Sequence, residues 1–295
     1  MPSRGRTLNP EWEQWLALVG ADSLPWNVRR KRIVWRSLDQ APAAQEAPEI
    51  TWLGHASFRV RWHGLVLLLD PVFAAWIGPC RRRVPVPRCA SLTGADTVLI
   101  SHAHMDHLHH GTLRKLRPKH IVLPEHTERF LGKDGRRTPL SRVRSGEALT
   151  FGRLTITPVP AAHGGWRYPW QKGYQAFSYV ISDGRCTLFW TGDSAYGPSF
   201  SMVGRHYKID TALLPIGAYA PQWFLRKRHM NPSEAVQAAI DLRAGCVHPY
   251  HFGGYRLSAE PWREPFAWFA LAAEKREVDW QLIIGYETHH SRHPF

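Results

Sequence analysis

Cysteine is scarce in this 295-residue sequence, which has four cysteines: Cys80, Cys89, Cys186 and Cys246. They form no C-x-x-C pair and lack the spacing of a disulfide framework. Cys186 and Cys246 lie in apolar, strand-like runs, which is typical of small buried residues. This pattern argues against a disulfide-stabilised secreted domain and favours a reducing, cytoplasmic setting.

Long hydrophobic runs are also missing. No apolar stretch approaches the roughly 18 residues of a membrane span, and the first residues lack the hydrophobic region of a signal peptide. The sequence shows no internal repeat of solenoid or propeller type. We therefore expect no transmembrane segment, although attachment to a membrane surface stays open.

Acidic residues are the minority charge. The sequence has 38 Lys+Arg against 24 Asp+Glu, for a formal net charge of +14. This excess indicates an anionic partner, which could be nucleic acid, a phospholipid surface or a phosphorylated substrate. Short basic runs at residues 29–32, 81–83 and 226–228 are interpreted as solvated surface.

Histidines, in contrast, concentrate at the ends of strand-like segments. The apolar residues 97–101 run directly into His102, His104, Asp106 and His107. If the chain stays extended there, His102 and His104 point the same way, because side chains alternate along a strand. Asp106 and His107 follow at a turn, where they could serve a second centre. Imidazole and carboxylate groups are ligands that zinc, iron or manganese accept.

Three further strand-to-loop junctions supply residues of the same type. His163 follows residues 155–160, Asp193 follows residues 188–192, and His251 follows residues 247–250. Taken singly, each is typical of an ordinary loop histidine or turn aspartate. Together with the first motif they form an ordered series, which predicts a metal centre. His248 is a rival to His251 for one ligand position.

Strands and helices alternate along most of the chain, which indicates an α/β fold with sheets covered by helices. The predicted strands cover residues 50–53, 57–62, 65–69, 121–123, 154–159, 177–181, 187–190, 211–214 and 281–284, with another from residue 246. The predicted helices cover residues 11–19, 125–131 and 265–274, and a fourth begins at the N-cap Asn231. We expect residues 1–48, which include a linker-like stretch at 41–48, to form an N-terminal extension packed on the main body. Residues 49–295 would form the catalytic domain.

The ordered series resembles the metallo-β-lactamase superfamily, and within it the branch of N-acyl-phosphatidylethanolamine-hydrolysing phospholipase D. Beyond the metal motif at residues 98–107, the likeness includes residues 51–57, 70–71, 192–193, 215–219, 223–224, 232–236 and 251–253. The resemblance implies an αββα sandwich, with two mixed β-sheets and helices on the outer faces.

The resemblance also implies a binuclear site with two divalent metal ions, Zn²⁺ in the first place and Mn²⁺ or iron as alternatives. His102, His104 and His163 would hold one ion, Asp106, His107 and His251 the other, and Asp193 would bridge them. Asp70 and His55 are expected behind the ligands, because a strand-end carboxylate can orient a ligating imidazole.

Other residues are assigned to the substrate by the same resemblance. His229 would contact the substrate, and Asp106, Asp193 and His229 are the expected catalytic residues. Tyr219, Trp223, Phe224 and the aromatic run at residues 166–170 could line an apolar substrate channel. Plain core packing is the competing interpretation for these aromatic residues.

The expected function is that of a di-metal hydrolase, in which a metal-bridging hydroxide cleaves a phosphodiester, plausibly a phospholipid. A lactonase of the sugar-phosphate lactonase type and a nuclease are alternatives. A non-enzymatic binding protein is disfavoured, because all seven ligand-type residues are present. The expected partner is an anionic, phosphate-containing small molecule or phospholipid, with peripheral membrane contact; nucleic acid fits less well.

Overall fold

Two mixed β-sheets form the centre of the computed structural model, which describes residues 10–39, 46–87, 89–168, 170–171 and 173–286. The larger sheet has eight strands, in the spatial order β1 (Ile33–Ser37), β16 (Leu282–Tyr286), β2 (Glu49–Gly54), β3 (Ser57–Trp62), β4 (Leu65–Leu69), β7 (Thr97–Leu99), β8 (Ile121–Pro124) and β9 (Leu140–Val143). The smaller sheet has six, in the order β10 (Leu149–Phe151), β11 (Leu154–Pro160), β12 (Phe177–Ser182), β13 (Thr187–Trp190), β14 (Thr211–Pro215) and β15 (Cys246–Tyr250). Two short strands, β5 (Trp76–Ile77) and β6 (Cys80–Arg81), pair with each other.

Eight α-helices accompany these strands in the described ranges: α1 (Pro10–Leu18), α2 (Trp26–Arg32), α3 (His110–Leu116), α4 (Gly132–Gly135), α5 (Ser199–His206), α6 (Gln222–Leu225), α7 (Pro232–Leu242) and α8 (Glu264–Lys275). None of the helices among the described residues has the length and apolarity needed to cross a membrane.

Side-chain alternation on the central strands separates the core into layers. Leu67 and Leu69 of β4 face the main core between the two sheets. Leu68 faces the opposite way and joins a second cluster that includes Leu113 and Leu116 of α3. Helix α7 packs on β14 of the smaller sheet and buries Ala235 and other apolar residues, and α8 packs against α7. Since each sheet is apolar on both faces, the predicted αββα sandwich is confirmed.

The helix predicted to begin at Asn231 is confirmed. The Asn231 side chain accepts a hydrogen bond from the Glu234 backbone N–H at 2.9 Å, and Glu234 Oε2 accepts one from the Asn231 N–H at 2.8 Å. Pro232 occupies the first turn, where no backbone donor is needed. This capping box fixes the start of α7 next to the residues that lead into the candidate site.

The N-terminal segment is joined to the larger sheet. Strand β1 pairs in parallel with β16, with Ile33 opposite Leu282. Trp15 of α1 is buried, and its indole N–H donates to the Gly253 carbonyl at 2.8 Å. Residues 41–45 of the linker-like stretch lie outside the described residues.

The helix predicted over residues 125–131 is wrong. The structure has a short 3₁₀ turn at Thr127–Phe130, followed by the single-turn helix α4. His126 has φ 71° and Gly132 has φ 74°, so left-handed backbone interrupts the helix on both sides. Strands β1, β9 and β10 and helix α5 had no sequence prediction.

Candidate metal centre

The candidate site lies where several strands end at one edge of the sandwich. His55 follows β2, Asp70 follows β4, and the motif from His102 to His107 follows β7. His163, Asp193 and His251 follow β11, β13 and β15. The fold therefore brings together all seven residues that the sequence proposed as ligands, from four separate loops.

The first group of candidate ligands consists of His102, His104 and His163. The Nδ1 atom of His104 lies 2.8 Å from His102 Nε2 and 3.1 Å from His163 Nε2. With an oxygen of Asp193, these ring nitrogens all lie within 4.8 Å of one another. Three ring nitrogens this close together cannot all present lone pairs to one another. A cation or a shared proton is therefore needed between them.

The second group consists of Asp106, His107 and His251. The Nε2 atoms of His107 and His251 are 3.3 Å apart, and each lies 3.4 Å from Asp106 Oδ2. His55 contributes its own Nε2 at 2.9 Å from the same Asp106 oxygen. Thus His55 lies at the edge of this group and contacts one of its members directly.

Asp193 lies between the two groups. Its Oδ2 atom is 3.1 Å from His107 Nε2 and 3.3 Å from His251 Nε2. The same oxygen is 3.9 Å from His102 Nε2 and 4.0 Å from His163 Nε2. The other oxygen, Oδ1, is buried without a hydrogen-bond partner in the part of the chain that the structure describes. A buried carboxylate oxygen of this kind requires a cation or a proton donor, so the donor set fits metal ions.

Electrostatics differ between the groups. Burial lowers the pKa of His102 well below its usual range and that of His104 to about 4. These imidazoles are therefore neutral, which is the form that binds metal. Burial also lowers the pKa of His107, but the carboxylates of Asp193 and Asp106 outweigh it and raise that pKa well above its usual range. The second group is thus the more negative environment.

Hydrogen bonds behind the ligands fix the ring orientations. Asp70 is buried, and its Oδ2 accepts a hydrogen bond from His107 Nδ1 at 2.6 Å. The Ser101 backbone N–H donates to the other Asp70 oxygen at 2.8 Å. In the first group, His163 Nδ1 donates to the Arg228 carbonyl at 2.8 Å. In both cases the Nε2 lone pair is left for the centre of the site.

Three residues of this region have left-handed backbone: His55 (φ 52°), Asp70 (φ 37°) and His251 (φ 62°). Residues other than glycine rarely adopt this backbone conformation. It costs of order 1–3 kcal/mol per residue and is concentrated at functional sites. The three residues with this strained backbone each follow the end of a strand, and their side chains meet in one cluster.

Sequence reasoning missed Arg167, which holds the loop carrying His102 to His107. Its Nε donates to the Ala103 carbonyl at 2.8 Å and its Nη2 to the Leu108 carbonyl at 2.5 Å. The guanidinium also stacks over Phe130, with Cζ 4.6 Å from the ring centroid. No motif marks this arginine, because its partners are backbone atoms some 60 positions away in the chain.

His229 and His248 have different surroundings. His229 Nδ1 lies 3.9 Å from Asp193 Oδ2 and has no hydrogen-bond partner among the described residues, and the side chain is 12% exposed. His248 instead donates from Nδ1 to the Gln281 carbonyl at 2.8 Å, and it belongs to none of the ligand groups in the described ranges. His229 therefore adjoins the site, whereas His248 packs behind it.

The aromatic residues proposed for the substrate channel separate into buried and exposed sets. Tyr219 is buried, and its hydroxyl donates to Glu264 Oε1 at 2.6 Å while its ring packs against Trp268. Trp223 and Phe224 on α6 are 80% and 52% exposed. Trp166 contacts the His104 ring edge-on at 5.7 Å, and Pro169 lies outside the described residues.

The chain is similar in sequence to a known domain family and to known proteins, and similar in fold to a solved structure. Residues 66–252 match the family described as the beta-lactamase superfamily domain. An uncharacterized protein of Mycobacterium tuberculosis is 31% identical over 245 residues, which cover 78% of this chain and 65% of that protein, just under two thirds of its length. The N-acyl-phosphatidylethanolamine-hydrolyzing phospholipase D 1 of Caenorhabditis elegans is 31% identical over 239 residues, which cover 73% of this chain and 67% of that protein. The solved structure of a metallo hydrolase from Ignicoccus hospitalis has a similar fold, with a TM-score of 0.61 at 21% identity over 82% of this chain and 96% of that one.

Proposed function

The chain belongs to the metallo-β-lactamase superfamily, and on this basis we propose that it is a di-metal hydrolase that cleaves a phosphodiester. Relatives named metal-dependent hydrolases support hydrolysis. The similarity to a protein named as an N-acyl-phosphatidylethanolamine-hydrolyzing phospholipase D supports a phospholipid substrate.

The position of Asp193 Oδ2 between two groups of buried ligands carries this proposal. We assign one metal ion to His102, His104 and His163, a second to Asp106, His107 and His251, and a bridging role to Asp193. Zn²⁺ is the first candidate, and Mn²⁺ and iron also accept these ligands. Two such ions, when bound, would lower the pKa of a shared water and neutralise charge on phosphate oxygens.

The remaining residues of the site orient these ligands. Asp70 holds the tautomer of His107 that presents Nε2, and the Arg228 carbonyl does the same for His163. His55 contacts the Asp106 carboxylate at 2.9 Å and limits how that oxygen can turn. These contacts keep the ligand atoms in place before a substrate arrives.

We assign His229 to the substrate. Burial lowers the pKa of His229 well below its usual range, so the ring is neutral at physiological pH and carries one N–H. A neutral imidazole whose Nδ1 lies 3.9 Å from Asp193 Oδ2 and has no hydrogen-bond partner among the described residues can donate a hydrogen bond to a phosphoryl oxygen. Its role would be to stabilise charge that develops on that oxygen.

Exposed aromatic residues beside the site support a lipid substrate. Trp223 and Phe224 lie on α6, six and five residues before His229 in the chain, and present apolar rings to solvent. Such rings suit acyl chains or the interface of a membrane, and the net charge of +14 favours an anionic surface. We therefore propose peripheral membrane contact at this edge of the molecule.

The test uses the full chain after reconstitution with Zn²⁺ or Mn²⁺. Metal content is measured by mass spectrometry, and hydrolysis is followed with bis-p-nitrophenyl phosphate, N-acyl-phosphatidylethanolamine in mixed micelles, lactones and nucleic acid. About two metal ions per chain and turnover of both phosphodiesters are expected. Turnover of lactones alone would make the protein a lactonase, and turnover of nucleic acid alone a nuclease. Absence of both metal and turnover would contradict the hydrolase assignment.

A further inference from the structure

We propose that Arg228 binds an anionic group of the substrate beside the metal centre, with Trp166 and Phe224 holding its guanidinium in place. This inference rests on the proposed phosphodiester substrate. The sequence predicts that the basic run at residues 226–228 is solvated surface. In the structure, Arg226 and Lys227 are exposed, whereas Arg228 is half-buried.

The backbone of Arg228 is anchored to the site. Its carbonyl accepts the hydrogen bond from His163 Nδ1 at 2.8 Å, and its N–H donates to the Leu225 carbonyl at 2.8 Å. The next residue, His229, lies 3.9 Å from Asp193. The backbone of Arg228 is therefore held in place by its hydrogen bond to His163 and by its neighbour His229, which lies beside Asp193.

Two aromatic rings define where the guanidinium lies. The Cζ atom of Arg228 is 5.2 Å from the centroid of Phe224 and 5.6 Å from that of Trp166. Trp166 in turn contacts His104 edge-on, with 5.7 Å between the ring centroids. A single indole ring thus separates the guanidinium from a proposed metal ligand.

Gly164 allows the indole to occupy this position. A Cβ atom at residue 164 would lie 2.5 Å from Trp166 Nε1, closer than such atoms approach in proteins. The chain can fold Trp166 back over the site only because residue 164 has no side chain. The absence of a side chain at Gly164, directly after His163, therefore allows Trp166 to support Arg228.

The guanidinium keeps its hydrogen-bonding capacity. In the part of the chain that the structure describes, the Arg228 side chain has no carboxylate within ion-pair distance and no hydrogen-bond acceptor. Contact with an aromatic face stabilises the cation without using its five N–H donors. A half-buried, preoriented guanidinium with free donors fits the oxygens of a phosphoryl group, which it can bind in bidentate fashion.

The first experiment measures anion binding without relying on turnover. Inorganic phosphate is titrated calorimetrically into the metal-loaded full chain for the wild type, Arg228→Gln, Arg228→Lys and the matched control Arg226→Gln. Arg228→Gln should raise the Kd of phosphate roughly 10- to 100-fold, as expected for loss of a charged hydrogen bond. Arg228→Lys should have a smaller effect because it keeps the charge but loses the planar fork. The control should bind like the wild type.

The second experiment measures the same variants with bis-p-nitrophenyl phosphate. Arg228→Gln should raise KM by a factor similar to its change in phosphate Kd, with metal content unchanged. Phe224→Leu, which removes one of the two supporting rings, should change both constants in the same direction but by less.

Two outcomes would overturn the assignment of Arg228: an unchanged phosphate Kd in Arg228→Gln, or loss of metal from that variant, which would limit the residue to supporting His163. A wild type that binds phosphate through Arg228 but cleaves no phosphodiester would contradict the proposed function and leave the Arg228 assignment standing.

Discussion

The two groups of candidate ligands differ in their electrostatics. The first group, His102, His104 and His163, presents imidazoles whose pKa values are lowered by burial. In the second group, burial again lowers the pKa of His251, but Asp193 and then Asp106 raise it to about 9. The first group is thus an array of neutral donors, whereas the second is a charged network with Asp70 behind it. Asp193 lies near residues of both groups, so a joint site would depend on this residue.

Removal of Asp193 should have the largest effect on both groups. In Asp193→Ala, the buried histidines lose the oxygen that contacts each group, so we expect loss of metal from both positions together with hydrolytic activity. Metal stoichiometry and turnover of bis-p-nitrophenyl phosphate check this. Retention of both ions would show that the two groups bind metal independently and that Asp193 does not bridge them.

His229→Ala should leave both groups loaded while lowering turnover. His229 is not one of the proposed ligands, although its ring packs against His163 and His251. Its loss should therefore act mainly through the hydrogen bond to the substrate. We expect kcat to fall roughly 100- to 1000-fold, as for loss of one oxyanion donor. The measurement pairs kinetics with metal analysis. Unchanged kcat would return His229 to a structural role, and metal loss would make it a ligand.

Asp70→Asn should distinguish the groups, since Asp70 hydrogen-bonds directly to His107 of the second group and is linked to His102 of the first only through the Ser101 hydroxyl. We expect metal affinity at the second position to fall roughly 10- to 100-fold, with a smaller fall at the first position. Competition with a chelator measures the two affinities separately. Asp183→Asn is the matched control, because Asp183 forms another histidine–carboxylate pair, with His63 at 2.7 Å, outside the candidate site. Equal weakening of both positions in Asp70→Asn would contradict the division into groups.

Arg167→Met should have the smallest effect and act on both groups alike. Arg167 donates to the Ala103 and Leu108 carbonyls, near the two ends of the loop that carries proposed ligands of each group. Its loss should therefore make the loop less preorganised. We expect metal affinity at both positions to fall by about tenfold or less. Arg129→Met is the control, because Arg129 donates to the Tyr174 hydroxyl and does not contact this loop. A selective loss at one position would show that Arg167 supports one ligand and not the whole loop.

Local sequence predicted the elements with strong periodicity or capping signals. The apolar strands before His102 and Asp193 and the capping box of α7 appear in the structure near their expected residues. Weak signals failed, as at residues 125–131, where left-handed backbone at His126 interrupts the helix. Edge strands such as β1 and β9 also escaped prediction, because their pairing depends on distant strands more than on their own residues.

The sequence by itself determined the inventory of candidate ligands, since the order of histidines and aspartates after apolar strands is a local property of the chain. It also indicated the supporting role of Asp70, which directly ends a strand. Only the tertiary structure decided which aromatic residues face the site: Tyr219 turns inward to Glu264, whereas Trp166 folds back against His104. Only the structure, too, showed that Arg228 is less exposed than its neighbours and that Arg167 donates to backbone carbonyls of the loop from His102 to Leu108. The physical reason is that ligand types are set by residue identity, while their support comes from backbone carbonyls and rings that are distant in sequence and meet when the two sheets pack.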